Sequence, residues 1–209
     1  MTGVAAISPE PLPVRSLDAL YAHYLELLRW NERLGLIGPG TEDEMLARHY
    51  GESLAALPLI AGSARTAVDL GSGAGFPGFV LAAARPGLAM TLVEARERKW
   101  SFLSTAARKA ALPCHCLNAR VAVPLPTGLP AHIDLVTVRA LKLETDVLGA
   151  LARRLTPQGS VLLWAGASDP ELPPELSTHA SLRLAGGARR RIVQLRPAHT
   201  VDRELAGRS

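Results

Sequence analysis

Cysteine and aromatic side chains are scarce in this 209-residue chain, which has two cysteines and 4% Phe, Trp and Tyr. Two thiols cannot staple a fold of this size. Cys114 and Cys116 stand two residues apart in an apolar run, a spacing that suits one face of a strand. Neighbours this close along one strand rarely reach disulfide geometry. A metal centre would need further ligands, and the sequence has no second Cys/His cluster. Buried free thiols, no metal and a reducing cytoplasm are therefore expected. The low aromatic content argues against a base-stacking platform of the kind dedicated single-strand binders use. Trp30, Trp100 and Trp164 each lie in an apolar segment and read as walls of a core or a pocket. No apolar run is long enough to cross a bilayer. Met1–Pro13 lacks a charged start followed by an apolar stretch, so neither a secretory signal nor membrane association is expected.

What the chain does have is apolar bulk. At 48% hydrophobic, it can bury a core of its own, and its length fits one domain, expected as a monomer. The net charge of +4 permits a polyanionic partner without requiring one. Residues 1–13, rich in Pro, Gly and Ala, read as a mobile tail, and residues 14–62 as a helical cap. In the cap, Leu17, Leu20, Tyr21, Tyr24, Leu25 and Leu28 recur at helical spacing. A break over Gly35–Gly40 precedes Thr41 and Glu44, a capping-box pair that opens a second helix with Met45, Leu46, His49 and Leu54 on its apolar stripe.

From Arg65 the period changes, and residues 63–209 read as one α/β domain. Strands are predicted at Thr66–Leu70, Ala89–Glu94, Cys114–Leu117, His132–Val138 and Gly159–Trp164. Helices over about Pro77–Ala84, Arg96–Ala110 and Leu143–Leu155 alternate with them. Such alternation implies a mainly parallel, doubly wound sheet. Leu182–Leu184 and Arg191–Leu195, joined through Gly186-Gly187, read as an antiparallel hairpin.

Ligands of such sheets sit at the carboxyl ends of the strands, where Asp69, Gly71, Gly73, Gly75 and Glu94 all fall. Glycine lets the backbone turn tightly and approach a ligand closely. A glycine loop alone also fits a dinucleotide. Three details favour S-adenosylmethionine. Asp69 lies inside the strand, two residues before the first loop glycine, where it can hold the methionine end or order the loop. The glycines run Gly71-x-Gly73-x-Gly75, with Phe76 where the dinucleotide pattern needs glycine. Glu94 ends the second strand, where a carboxylate can accept from both ribose hydroxyls, although dinucleotide sites share that feature.

The run from Val68 to Gly78, with its Phe76-Pro77-Gly78 extension, resembles the signature of the bacterial ribosomal small-subunit methyltransferase G family, also called glucose-inhibited division protein B. Trp30-Asn31, Arg48-His49 with Ser53-Leu54, Arg98-Lys99 with Phe102-Leu103, Asn118 to Val121 and Val138-Arg139-Ala140 are similar to further motifs of that family. The resemblance implies a Rossmann-like class I methyltransferase fold and transfer from S-adenosylmethionine to N7 of a guanine in 16S rRNA, free or in the small ribosomal subunit. For the cofactor it implies Asp69, Gly71, Ser72, Gly73, Gly75, Phe76, Glu94, Ala95, Ala119, Arg120 and Arg139. For the substrate it implies Asn31, Arg48, His49 and Arg139, with Arg139 as the catalytic contact to guanine O6 or a phosphate. The other readings stay open: an ion pair of Arg139 with Asp69 or Glu144, a helix-end role for Asn31, and a core position for His49. The Arg189-Arg190-Arg191 run fits a phosphate track or a solvated edge strand. The chain departs from the family pattern at Gly35, Ile37, Ala122 and, on the substrate side, Ala165, where the family has lysine. A small-molecule methyltransferase and a cofactor-binding protein without transfer activity are the alternatives.

Overall fold

Five segments line up at the centre of the molecule, most of them rich in the β-branched and apolar residues that favour strands. In the computed structural model, which describes residues 2–38, 44–185 and 189–198, they form parallel strands β1 (Thr66–Leu70), β2 (Ala89–Glu94), β3 (His115–Asn118), β4 (Ile133–Arg139) and β5 (Leu155–Ala165). Strands β6 (Leu176–Arg183) and β7 (Arg191–Pro197) add antiparallel at one side, giving the order β3-β2-β1-β4-β5-β7-β6. The chain leaves β1 toward β2 on one side and later returns to β4 on the other. That reversal opens a crevice above the carboxyl ends of β1 and β4.

Alternate residues of each strand feed two cores. Ala67, Met90, Leu92, Leu135 and Leu162 face the layer of α2 (Val14–Leu34), α4 (Gly78–Ala84) and α5 (Glu97–Lys109). Val68, Leu70, Val93, Val136 and Val161 face α6 (Thr145–Ala152), whose Val147, Leu148 and Leu151 cover them. Between β3 and β4 no helix forms, and Val121, Leu125 and Leu129 of that connection close the same side.

The N-terminal part differs from expectation in three ways. Part of the expected tail forms α1 (Thr2–Ile7), because Val4 and Ile7 stand one turn apart and pack inward, with Val4 buried. The buried face of α2 carries Ser16, Ala19, Leu20, His23, Leu27 and Asn31, whereas Tyr21, Leu25 and Leu28 are exposed. The second cap helix begins as a π-helical turn over Met45–Gly51 and continues into the short α3 (Glu52–Leu54). Thr41 and the Gly186-Gly187 turn lie outside the described residues. Strand β7 lies between β5 and β6, so the arginine run leads into an interior strand and not an edge. Cys114 and Cys116 are free and half-buried against the α5 side of the sheet, and burial pushes the Cys114 thiol up to about 12. Among the described residues, no helix is long and apolar enough to cross a membrane and no metal-ligating cluster occurs.

Candidate active site

The loop after β1 turns through left-handed backbone at Gly71 (φ 69°), Gly73 (φ 55°) and Gly75 (φ 94°), which a side chain would strain. Its shape is pinned from several sides. Ser72 N–H donates to Val93 O at 3.0 Å, and Gly75 N–H to Ser72 O at 2.7 Å. Glu94 accepts from Gly73 N–H at 2.9 Å and from Arg96 N–H at 2.8 Å, tying the loop to the end of β2. Gly75 has no room for a side chain, since a Cβ there would lie 2.9 Å from Phe79 Cβ and 3.0 Å from His23 Nε2.

A cavity of about 620 Å³ opens beside this loop at the reversal point of the sheet. Of the predicted cofactor residues, Gly71, Ser72, Gly73, Phe76, Glu94, Ala95, Ala119, Arg120 and Arg139 line it. Asp69 and Gly75 do not. Asp69 lies fully buried beneath the loop, where Thr137 Oγ1 donates to its Oδ1 at 2.6 Å and its own carbonyl accepts from Ser72 Oγ at 3.1 Å. Its carboxyl is pushed up to about 6 by burial, against the hydrogen bond from Thr137. The Ser72 contact ties Asp69 to the loop, and its Oδ2 has no hydrogen-bond partner among the described residues.

The predicted substrate residues divide. His49 lines the cavity, stacked on Phe76 with ring centroids 5.0 Å apart. Burial and the nearby Arg139 and Arg48 lower its pKa to about 4, so it is neutral at pH 7. Asn31 lies away from the cavity and accepts from Ile37 N–H at 3.0 Å, fixing the turn that ends α2. Arg48 contributes its carbonyl, which accepts from Arg139 Nη2 at 2.9 Å. Arg139, at the end of β4, pairs with neither Asp69 nor Glu144 but with Glu52, Nη2 to Oε2 at 2.9 Å. Its Nη1 is buried without a hydrogen-bond partner among the described residues. Burial lowers the pKa of Arg139, opposed by the Glu52 charge.

The arginine run is tied into the protein rather than laid out as a track. Arg190 pairs with Glu52, and Arg191 with Asp169 at 2.7 Å. Nor do the three tryptophans wall the cavity. Their indole N–H groups reach Glu26 (Trp30), the Cys116 carbonyl (Trp100) and the Glu52 carbonyl (Trp164).

Sequence reasoning misses two residues of the site. Glu52 pairs with Arg139 and Arg190 at once. Its signal is the acidic position directly before Ser53-Leu54. His23 is fully buried under the loop, with Ala74 O at 2.7 Å from Nε2 and the Tyr50 hydroxyl at 2.7 Å from Nδ1. Since a carbonyl only accepts, Nε2 carries the proton and Nδ1 accepts from Tyr50. Burial lowers its pKa to about 4. Its signal is its place one turn after Leu20 and one before Leu27.

Known proteins bear on this arrangement. Residues 16–185 match the family model for rRNA small subunit methyltransferase G. The ribosomal RNA small subunit methyltransferase G of Xanthomonas euvesicatoria pv. vesicatoria is 39% identical over 170 residues, 78% of this chain and 77% of that protein. Its counterpart in Paramagnetospirillum magneticum is 37% identical over 77% of this chain and 78% of that protein. In fold, the chain is similar to a mutant of MtNAS in complex with S-adenosylmethionine (TM-score 0.59, 15% identity, 88% and 76% of the two chains). It is also similar to the mitomycin 7-O-methyltransferase MmcR (TM-score 0.53, 17% identity, 89% and 69%). The parallel sheet with its antiparallel β6–β7 pair is the class I methyltransferase fold. By the match of its family model over most of its length and by its relatives, the chain belongs to the rRNA small subunit methyltransferase G family.

Proposed function

We propose that this protein transfers a methyl group from S-adenosylmethionine to N7 of a guanine in 16S rRNA, with the glycine loop and Glu94 on the donor side and Arg139 on the acceptor side. One observation carries the reading. A single cavity is lined by loop backbone, by the Glu94 carboxylate and by the largely buried Arg139, whose Nη1 has no partner among the described residues. Its volume is of the size small-molecule and cofactor sites have. Gly73 presents backbone with open space where a Cβ would stand, and the Glu94 oxygens keep lone pairs beyond those used by Gly73 and Arg96, enough for a ribose diol. These residues fit the donor, which supplies, when bound, a methyl group activated on a sulfonium.

Guanine N7 has an in-plane lone pair and no proton, so the chain needs no general base. The site agrees with that chemistry. His49 is too weakly basic to be a strong proton acceptor, and Glu94 is engaged by two backbone donors. The work left to the protein is orientation, worth on the order of 7 kcal/mol in favourable cases. Arg139 is suited to it. A full guanidinium fork would cover both O6 and N7 of guanine. With Nη2 committed to Glu52 and the Arg48 carbonyl, Nη1 is left for one acceptor, O6 or a phosphate, and N7 stays open to attack. The Glu52 carboxylate also moderates the positive charge that Arg139 brings near a purine becoming cationic.

The test uses labelled methyl donor with small-subunit particles and free 16S rRNA from cells lacking the modification. Label at guanine N7 is expected, and Arg139→Ala should lower transfer at least about tenfold while cofactor affinity stays within a few-fold. Label on a small metabolite and none on rRNA would replace this reading with a small-molecule acceptor. Donor binding without any transfer would replace it with a binding protein.

A further inference from the structure

We infer that Glu52 is a positioning residue for methyl transfer: its carboxylate clamps Arg139 and Arg190 together and holds the Arg139 guanidinium in the wall of the cavity. The inference rests on the ligand contact proposed above for Arg139. Three elements far apart in the chain meet at this carboxylate. Arg139 ends β4, Arg190 leads into β7, and Glu52 opens α3 at the floor of the cap. Oε2 accepts from Arg139 Nη2 at 2.9 Å, and Oε1 accepts from Arg190 Nη1. The side chain of Glu52 is 8% exposed and that of Arg139 14%. The backbone of Glu52 is itself fixed, its carbonyl accepting from Trp164 Nε1 at 3.1 Å.

The charges explain why the clamp is needed. One carboxylate faces two guanidiniums, and Arg48 adds a third positive charge that bears on Arg139. Without Glu52, the charges of Arg48 and Arg190 would oppose Arg139, leaving it the Arg48 carbonyl as a hydrogen-bond partner and the Asp69 charge as its counterweight. With it, two N–H bonds on Nη2 set the plane of the guanidinium, and Nη1 has no partner of its own among the described residues. Burying an unpaired donor is unfavourable unless a ligand completes it. Glu52 thus holds a guanidinium with an unsatisfied donor in the cavity wall. Arg190 fastens the far side of the carboxylate, so the β6–β7 pair becomes a brace for the site.

The experiment is a double-mutant cycle in the full-length protein. Glu52→Gln should lower kcat about tenfold to a hundredfold, the loss expected for a misplaced contact group, with donor Kd within roughly threefold of wild type. Glu52→Asp should recover a large part of the rate. Glu52→Gln combined with Arg139→Ala should be no slower than Arg139→Ala alone, since Glu52 acts through Arg139. Multiplicative losses in the double variant, or a wild-type kcat in Glu52→Gln, would overturn the inference. If Glu52→Gln does not fold, Glu52→Gln/Arg190→Met removes one charge of each sign and takes its place with the same expected loss. The cycle is run on whichever acceptor the wild-type protein methylates, so a different acceptor overturns the guanine-N7 reading and leaves the clamp standing. Nitrogen-15 spectra of the arginine side chains give a readout without turnover. Slowed Arg139 Nη rotation is expected in wild type and Glu52→Asp and should be lost in Glu52→Gln, and its absence in wild type would also overturn the clamp.

Discussion

At Gly73 the backbone holds φ 55° while its N–H points at the Glu94 carboxylate. A Cβ there would find only Gly71 O at 3.7 Å, so the protein itself leaves room for one. The space it would enter belongs to the cavity. Gly73→Val should therefore cost about 1–2 kcal/mol of stability through the left-handed backbone. It should cost more in donor affinity, at least about tenfold, by filling the site. Urea unfolding and calorimetric titration separate the two effects. Unchanged affinity would place the donor elsewhere in the cavity. Gly78 is a contrasting case, since a Cβ there would collide with the side chain of buried Asp69 on β1. That close approach lets α4 start directly over the strand.

Among the elements, α2 has the largest indirect role. It carries His23, which supports the loop through Ala74 O and lies 4.3 Å, centroid to centroid, from Phe79 on α4. His23→Ala should lower stability by about 2–4 kcal/mol, from the cavity and from the stranded Ala74 and Tyr50 groups. It should also weaken donor binding. Lost stability with unchanged affinity would mean that the loop's own hydrogen bonds suffice. This element is also the hardest to read from sequence. Counting apolar residues puts Tyr21, Leu25 and Leu28 on its covered face, yet they are exposed while His23 and Glu26 are buried. Which side of an amphipathic helix is covered depends on what packs there, and polar residues with partners can occupy the covered side. Strand β2 is legible to the residue, because its run is buried on both faces and bounded by Pro86-Gly87 and a helix start. Strand β6 begins at Leu176, earlier than its apolar residues show, because an edge strand can carry the exposed Thr178 and His179 without penalty. The loop and Glu94 are legible because they are local. The Glu52 clamp is not, since its partners lie 87 and 138 residues away.

For the molecule as a whole, three buried or half-buried groups lead the response between about pH 6 and 4, and Glu26 and Asp134, whose carboxyls are held, despite burial, below their ordinary range by hydrogen-bond partners, add a loss at still lower pH. Folded His23 stays neutral down to about pH 4, whereas in the unfolded chain it takes a proton near 6.5, so stability falls as pH drops through that window. His49 acts in the same direction, more weakly because it is half-exposed. Asp69 opposes them. Its folded pKa is raised to about 6 from 3.8, so it adds stability as pH falls between those values. The net expectation between about pH 6 and 4 is a loss of no more than about 1.4 kcal/mol per pH unit. Urea midpoints measured across that range check it. In His23→Gln the slope should come close to zero, and an unchanged slope would remove His23 from the account.

The loop after β1 hangs on a strand paired on both sides and is bonded to β2 through Ser72 and Gly73. Its shape is thus set by contacts within the protein itself. A ligand that settles there gives up its own freedom but draws little conformational entropy from the chain. Entry to the cavity then calls for no folding of this loop, and Leu141, which packs against Gly71, is the side chain that covers the loop there.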